Sequence, residues 1–171
     1  MELLAWLEQT ELSLWLRESD WGHPIVLCFH AVGMGLVVGI SLMFSARVLG
    51  YSKDFPLDGF DRLFGLAWFG FGMNAVSGVL LYVGEPRRLL LTPAFIIKMI
   101  LIVFAGFSLW ILTRTLQGMQ HRAGPNVVAL RHYVVTPAAK VAAIFPILFW
   151  LGAIVAGRLI GYTIAPPPPP V

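Results

Sequence analysis

Residues 24–48 read PIVLCFHAVGMGLVVGISLMFSARV, an apolar run whose only formal charge, Arg47, comes one residue before its end. A bilayer core takes about 20 mostly apolar residues of helix, and this run is long enough to cross one. Three more stretches meet the same requirement: Leu63–Val83, Pro93–Leu112 and Pro137–Tyr162, the last long enough to tilt or bend. Proline opens three of the four. His23-Pro24, Thr92-Pro93 and Thr136-Pro137 place it in a first turn, where no intrahelical donor is lost. Thr92 and Thr136 are then expected as N-caps, with Asp58 or Asp61 serving the second span. The expected fold is all-α, a four-helix transmembrane bundle over residues 20–165.

Composition agrees with that fold. Of 171 residues, 58% are hydrophobic and 12% charged, where a soluble domain carries roughly a quarter charged residues. Mean hydropathy is +0.79. An ordinary soluble enzyme and a disordered chain are excluded. The net charge of +3 is scattered between apolar blocks, which speaks against a nucleic-acid partner and for the lipid bilayer. Cys28, the single cysteine, permits neither an intrachain disulfide nor a thiolate metal cage. No catalytic motif is present, and the chain reads as a non-enzyme.

The flanks are short. Residues 1–19 are expected to form an amphipathic interfacial helix, with Leu3, Leu4, Leu7, Leu14 and Trp15 set against Glu8, Glu11 and Glu18 and a break allowed at Thr10. Docking of this helix on a partner protein is the alternative. It opens on Glu2 without a basic region, so it is not read as a cleaved signal. Residues 166–171 form a polyproline tail. The loop after span one carries Arg47, Lys53 and Arg62, and that after span three Arg114, Arg122 and Arg131, with Lys140 just inside span four. Arg17, Arg87, Arg88, Lys98 and Arg158 fall on the other side. The positive-inside rule then puts both termini outside the cytoplasm.

Small residues mark expected helix contacts: Gly35 with Gly39, Gly33 and Ser41 lying nearby, Gly157 with Gly161, and Gly70, Ala75, Ser77 and Gly78 along span two. Packing within the chain is expected rather than a dimer face. Pro146 should kink span four and open a carbonyl one turn earlier, for which Asn74 is the expected partner.

Ionisable groups inside a membrane are costly and normally face the bundle interior. His30, Lys98 and Arg158 sit on three different spans, yet antiparallel topology brings all three to one depth in the outer half. Tyr162 follows Arg158 by one turn and His23 precedes His30 by two, while Tyr82, Glu85 and Arg87 close span two at the same mouth. Snorkelling is the alternative for Lys98 and Arg158. For His30 it is a neutral imidazole bonded to a backbone carbonyl or to Tyr162. The cluster suits an anionic or carbonyl-bearing ligand, whether a lipid headgroup, a quinone or a partner's carboxylate. Haem b is a second use, with His30 the only axial candidate. His23 is roughly 10 Å away along the same helix, and His121 and His132 lie at the other side. Met34, Met99 or a second subunit would have to supply the other ligand. A small-solute or proton pathway is a third, poorly served without an intramembrane acid, and copper a weaker one still.

The chain also resembles the bacterial multi-pass membrane proteins of the domain-of-unknown-function family DUF6644. The resemblance rests on Arg17-Glu18-Ser19 with Trp21 and Pro24, His30-Ala31-Val32-Gly33-Met34 with Gly39, and Arg47-Val48-Leu49-Gly50. It continues through Gly78-Val79-Leu80-Leu81, Pro93-Ala94-Phe95 with Lys98, and Trp150-Leu151-Gly152 with Ala156-Gly157-Arg158-Leu159-Ile160 and Tyr162. It implies a bacterial inner-membrane protein of four helices. The combined expectation is a binding or accessory subunit, partnered by another membrane or periplasmic subunit or by its own copies. The alternative is a haem- or quinone-linked electron-transfer subunit.

Overall fold

A computed structural model describes residues 2–51, 60–123 and 136–163 of the chain. Every regular element among them is helical. In order they are α1 (Glu2–Glu8), α2 (Glu11–Glu18), α3 (Gly22–Leu49), α4 (Phe60–Gly84), α5 (Pro86–Leu90), α6 (Pro93–Ala123), α7 (Pro137–Ala142) and α8 (Ile144–Thr163). Lys53, Asp58, Arg131, His132 and the 166–171 tail lie outside the described residues.

The N-terminal segment is two helices, not one. Thr10 adopts an extended backbone, and its Oγ1 donates to the Leu7 carbonyl at 2.7 Å while accepting from Ser13 N at 3.4 Å. One hydroxyl thus ends α1 and starts α2. Capping elsewhere departs from expectation in two places. Ser19 Oγ accepts from Trp21 N and Gly22 N at 3.3 and 3.1 Å, so it, not proline alone, starts α3. Thr92 donates its hydroxyl to the Arg88 carbonyl at 2.8 Å and so closes α5, a short helix that hydropathy does not reveal. Thr136 caps α7 as expected, accepting from Ala139 N at 3.3 Å. Asp61 lies inside α4, not ahead of it. At the end of α3, Gly50 takes a left-handed φ of 95° and its N–H reaches the carbonyls of Ala46 and Arg47, a conformation glycine adopts without steric cost.

Four stretches are long and apolar enough to cross a membrane: Gly22–Leu49, Arg62–Gly84, Pro93–Gly118 and Pro137–Thr163. Only 22–33% of each apolar window is buried inside the protein. Phe29, Val32, Val76, Val79, Ile100, Val103 and Val155 are all exposed, far more apolar surface than a water-soluble monomer presents. The helix of span three continues past Leu112 to Ala123, because hydropathy marks where the membrane ends and not where the backbone uncoils. Span four breaks at Ala143, between α7 and α8. Pro146 sits three residues on, where it has no N–H for the carbonyl of Ala142.

The helices pair as two hairpins, α3 with α4 and α6 with α8, and the contact between the hairpins is slighter. Within the first hairpin the backbones touch. A Cβ on Gly33 would stand 2.7 Å from Asn74 N and 2.9 Å from the Gly70 carbonyl. Gly35, Gly39 and Gly161 meet nothing within 4 Å, so the expected Gly35–Gly39 seam is replaced by Gly33 and Gly70. The anticipated bond from Asn74 to the opened span-four backbone is also absent among the described residues, and Asn74 Oδ1 is buried without a partner. Between hairpins, large side chains bridge a wider gap: the Phe71 ring reaches toward Gly106. The core of Val37, Phe44, Val48, Phe64, Leu109, Leu116 and Trp150 fills the end of the bundle remote from both termini. At the terminal end the same gap stays open.

Candidate functional site

That opening is a cavity of ≈ 660 Å³ lined by Leu16, Arg17, His23, Leu27, His30, Gly78, Leu81, Tyr82, Gly84, Glu85, Leu89, Phe95, Lys98, Gly157, Ile160 and Gly161. Its size falls within the roughly 300–1,000 Å³ of small-molecule sites. Tyr82 of α4 stacks on Phe95 of α6, with ring centroids 5.6 Å apart, and joins the hairpins at this end. Helix α2 borders the cavity through Leu16 and Arg17. Leu16 is buried, Ser13 Oγ donates to the Gly84 carbonyl at 3.4 Å, and α1 is tied to α5 through Glu8 and Arg87.

His30 lies at the inner end of the cavity and is only 9% exposed. Its Nδ1 is 3.1 Å from Ser77 Oγ. Ser77 Oγ in turn donates to the Met73 carbonyl at 2.6 Å. Neither of the two partners anticipated for a neutral ring, a backbone carbonyl or Tyr162, takes this place; Ser77 does. Gly78 leaves room for the ring, since a Cβ there would be 3.3 Å from His30 Cε1. Lys98 enters from α6, its stem and ammonium lying against Gly157, where a Cβ would be 3.4 Å from both Cε and Nζ. Lys98 and His30 line the same cavity, and Lys98 has no carboxylate partner among the described residues.

Charges at the mouth are mostly paired. Arg87 Nε donates to Glu8 Oε2 at 2.7 Å, and a second guanidinium nitrogen contacts the same carboxylate. This pairing holds the Glu8 carboxyl below its usual range against the opposing effect of partial burial, and holds Arg87 above its own. Arg17 Nη2 donates to the Glu8 carbonyl at 3.0 Å. Glu85 accepts from Arg88 at 2.8 Å.

Of the seven residues anticipated, His23, His30, Tyr82, Glu85 and Lys98 line one cavity. Arg158 and Tyr162 do not. The contact of Gly157 with Lys98 shows that this part of span four reaches the expected depth. One residue on, however, Arg158 faces outward, over the ring of Tyr162, itself 75% exposed, at 6.0 Å. Snorkelling accounts for that pair. Ser77, Phe95, Gly157 and the α2 residues Leu16 and Arg17 belong to the site and were not anticipated there. A serine directly before Gly78 in an otherwise apolar span was the available signal for Ser77.

No set of three or more His, Cys, Asp or Glu among the described residues suits a metal ion. For haem, His30 has the right atom, but Met99 is exposed on the outside of the bundle and Met34 packs on the core. Comparison with protein-family models, curated proteins and solved structures found no match to the chain.

Proposed function

We propose that this is an integral-membrane binding protein, an accessory subunit without chemistry of its own, whose cavity takes an amphiphile with an anionic or carbonyl-bearing head. One observation carries the reading: a mostly apolar cavity between two hairpins holds the ammonium of Lys98, which among the described residues has no carboxylate within ion-pair distance, the cavity's Glu85 being paired with Arg88. A cation in such surroundings is costly unless an anion, a strong acceptor or water meets it. A ligand whose head meets Lys98 and whose tail lies along Leu27, Leu81 and Ile160 answers both halves of the site. Loop charges support an orientation with both termini, and so the cavity mouth, outside the cytoplasm. The resemblance to DUF6644 supports a bacterial inner membrane.

The test is direct. Protein purified in mild detergent is extracted with organic solvent and the extract examined by mass spectrometry. Wild type and Arg158→Ala are expected to carry the same enriched amphiphile, and Lys98→Leu and Gly157→Leu to lose it while still inserting and folding. Identical extracts from all four would reject the reading. A reduced-minus-oxidised spectrum of the same preparation, expected to lack a Soret band, checks the haem alternative.

A further inference from the structure

We propose that the inner end of the cavity selects a hydroxyl-bearing aromatic head, a hydroquinone or similar phenol on an apolar tail, over the matching quinone. This rests on the binding reading above and names its ligand class. The argument turns on one proton. Ser77 Oγ has a single hydrogen, which points to its own helix, with the Met73 carbonyl at 2.6 Å and that of Asn74 at 3.2 Å, so toward His30 it accepts. The Nδ1 of His30, 3.1 Å away, therefore donates. In the neutral imidazole this leaves Nε2 with a lone pair, and the ring's one hydrogen bond among the described residues is the one through Nδ1.

A carbonyl oxygen brought to that nitrogen meets lone pair with lone pair. An O–H satisfies it. Lys98 offers donors only and stands on the opposite hairpin, so a second ligand oxygen accepts from it. One head with an O–H at one end and an oxygen acceptor at the other fits both groups. Depth favours a neutral ring over a phosphate: His30 lies about 12 Å along α3 from the helix start, beneath the Tyr82–Phe95 stack.

Full-length protein, stripped of co-purified lipid and placed in zwitterionic nanodiscs, is titrated calorimetrically with three probes. These are a decyl-substituted benzohydroquinone, its quinone, and the redox-inert dimethyl ether of the hydroquinone. The hydroquinone is expected to bind at least tenfold more tightly than either analogue. The ¹⁵N spectrum of labelled His30 should place the proton on Nδ1 and show Nε2 shifting on binding, and His30→Phe should erase the preference. Equal or tighter binding of the quinone or ether, a preference that survives His30→Phe, or binding by none of the three overturns the inference. The broader reading is judged separately by the solvent extract, which needs no added probe.

Discussion

Replacing Gly33 with alanine tests the seam on which the site is built. The new Cβ would lie 2.7 Å from Asn74 N and 2.9 Å from the Gly70 carbonyl, backbone atoms that cannot rotate away. Ordinary contact begins near 3.4 Å, so α3 and α4 must part by about 0.7 Å, a gap that forfeits roughly a quarter to a half of each facing dispersion contact. Overpacking of this kind costs about 1–3 kcal/mol. Alanine's better helix propensity returns about 1 kcal/mol, leaving a net loss of up to about 2 kcal/mol. Gly35→Ala and Gly39→Ala meet nothing within 4 Å and should be neutral or slightly stabilising. Thermal unfolding in detergent, followed by tryptophan fluorescence, measures the three side by side. The parting should also carry the 3.1 Å His30–Ser77 contact beyond the roughly 3.5 Å limit of a hydrogen bond, changing the imidazole ¹⁵N spectrum. An unfolding midpoint and spectrum matching those of Gly35→Ala would refute the close approach.

Three other perturbations have defined outcomes. Lys98→Met removes a cation with no carboxylate partner among the described residues; the ligand-stripped protein should unfold at the same or a higher temperature, while retention of the amphiphile falls at least tenfold, both read on one preparation. Glu8 is held low by Arg87, so its contribution to docking α1 is complete above the ordinary glutamate pKa of about 4.3 and fades as pH drops through the lower folded-state value. A spin label on Leu3 should become mobile only in that acid range, and in Glu8→Gln at every pH; the exposed setting keeps the effect on global stability small. Thr136→Ala removes the cap of α7 at a cost of about 1 kcal/mol, which hydrogen exchange at the Ala139 amide should report as faster opening.

The spans and the depth of each polar group were legible in the sequence, because both follow from counting residues along a rod of fixed rise. Which way each group points was not. Gly157 and Arg158 share a depth, but about 100° of helix rotation separates them, and packing alone decides which of the two faces the cavity. The glycines fail in the same manner: Gly33 and Gly35 are equally small, and the four-residue spacing drew attention to the one that faces outward. Ser77 was hidden because a serine within an apolar helix ordinarily bonds its own preceding turn. It does so here as well, and that bond is what fixes its second role toward His30.

The division into two hairpins, tightly seamed within and joined mainly by the core at the far end, sets how the molecule can breathe. Spread apart at the terminal end, the pair would behave like tongs riveted at the base, widening a slot toward the surrounding lipid without opening either glycine-lined seam. A guest with a long tail would then enter sideways from the bilayer, bypassing the rim that α2 borders.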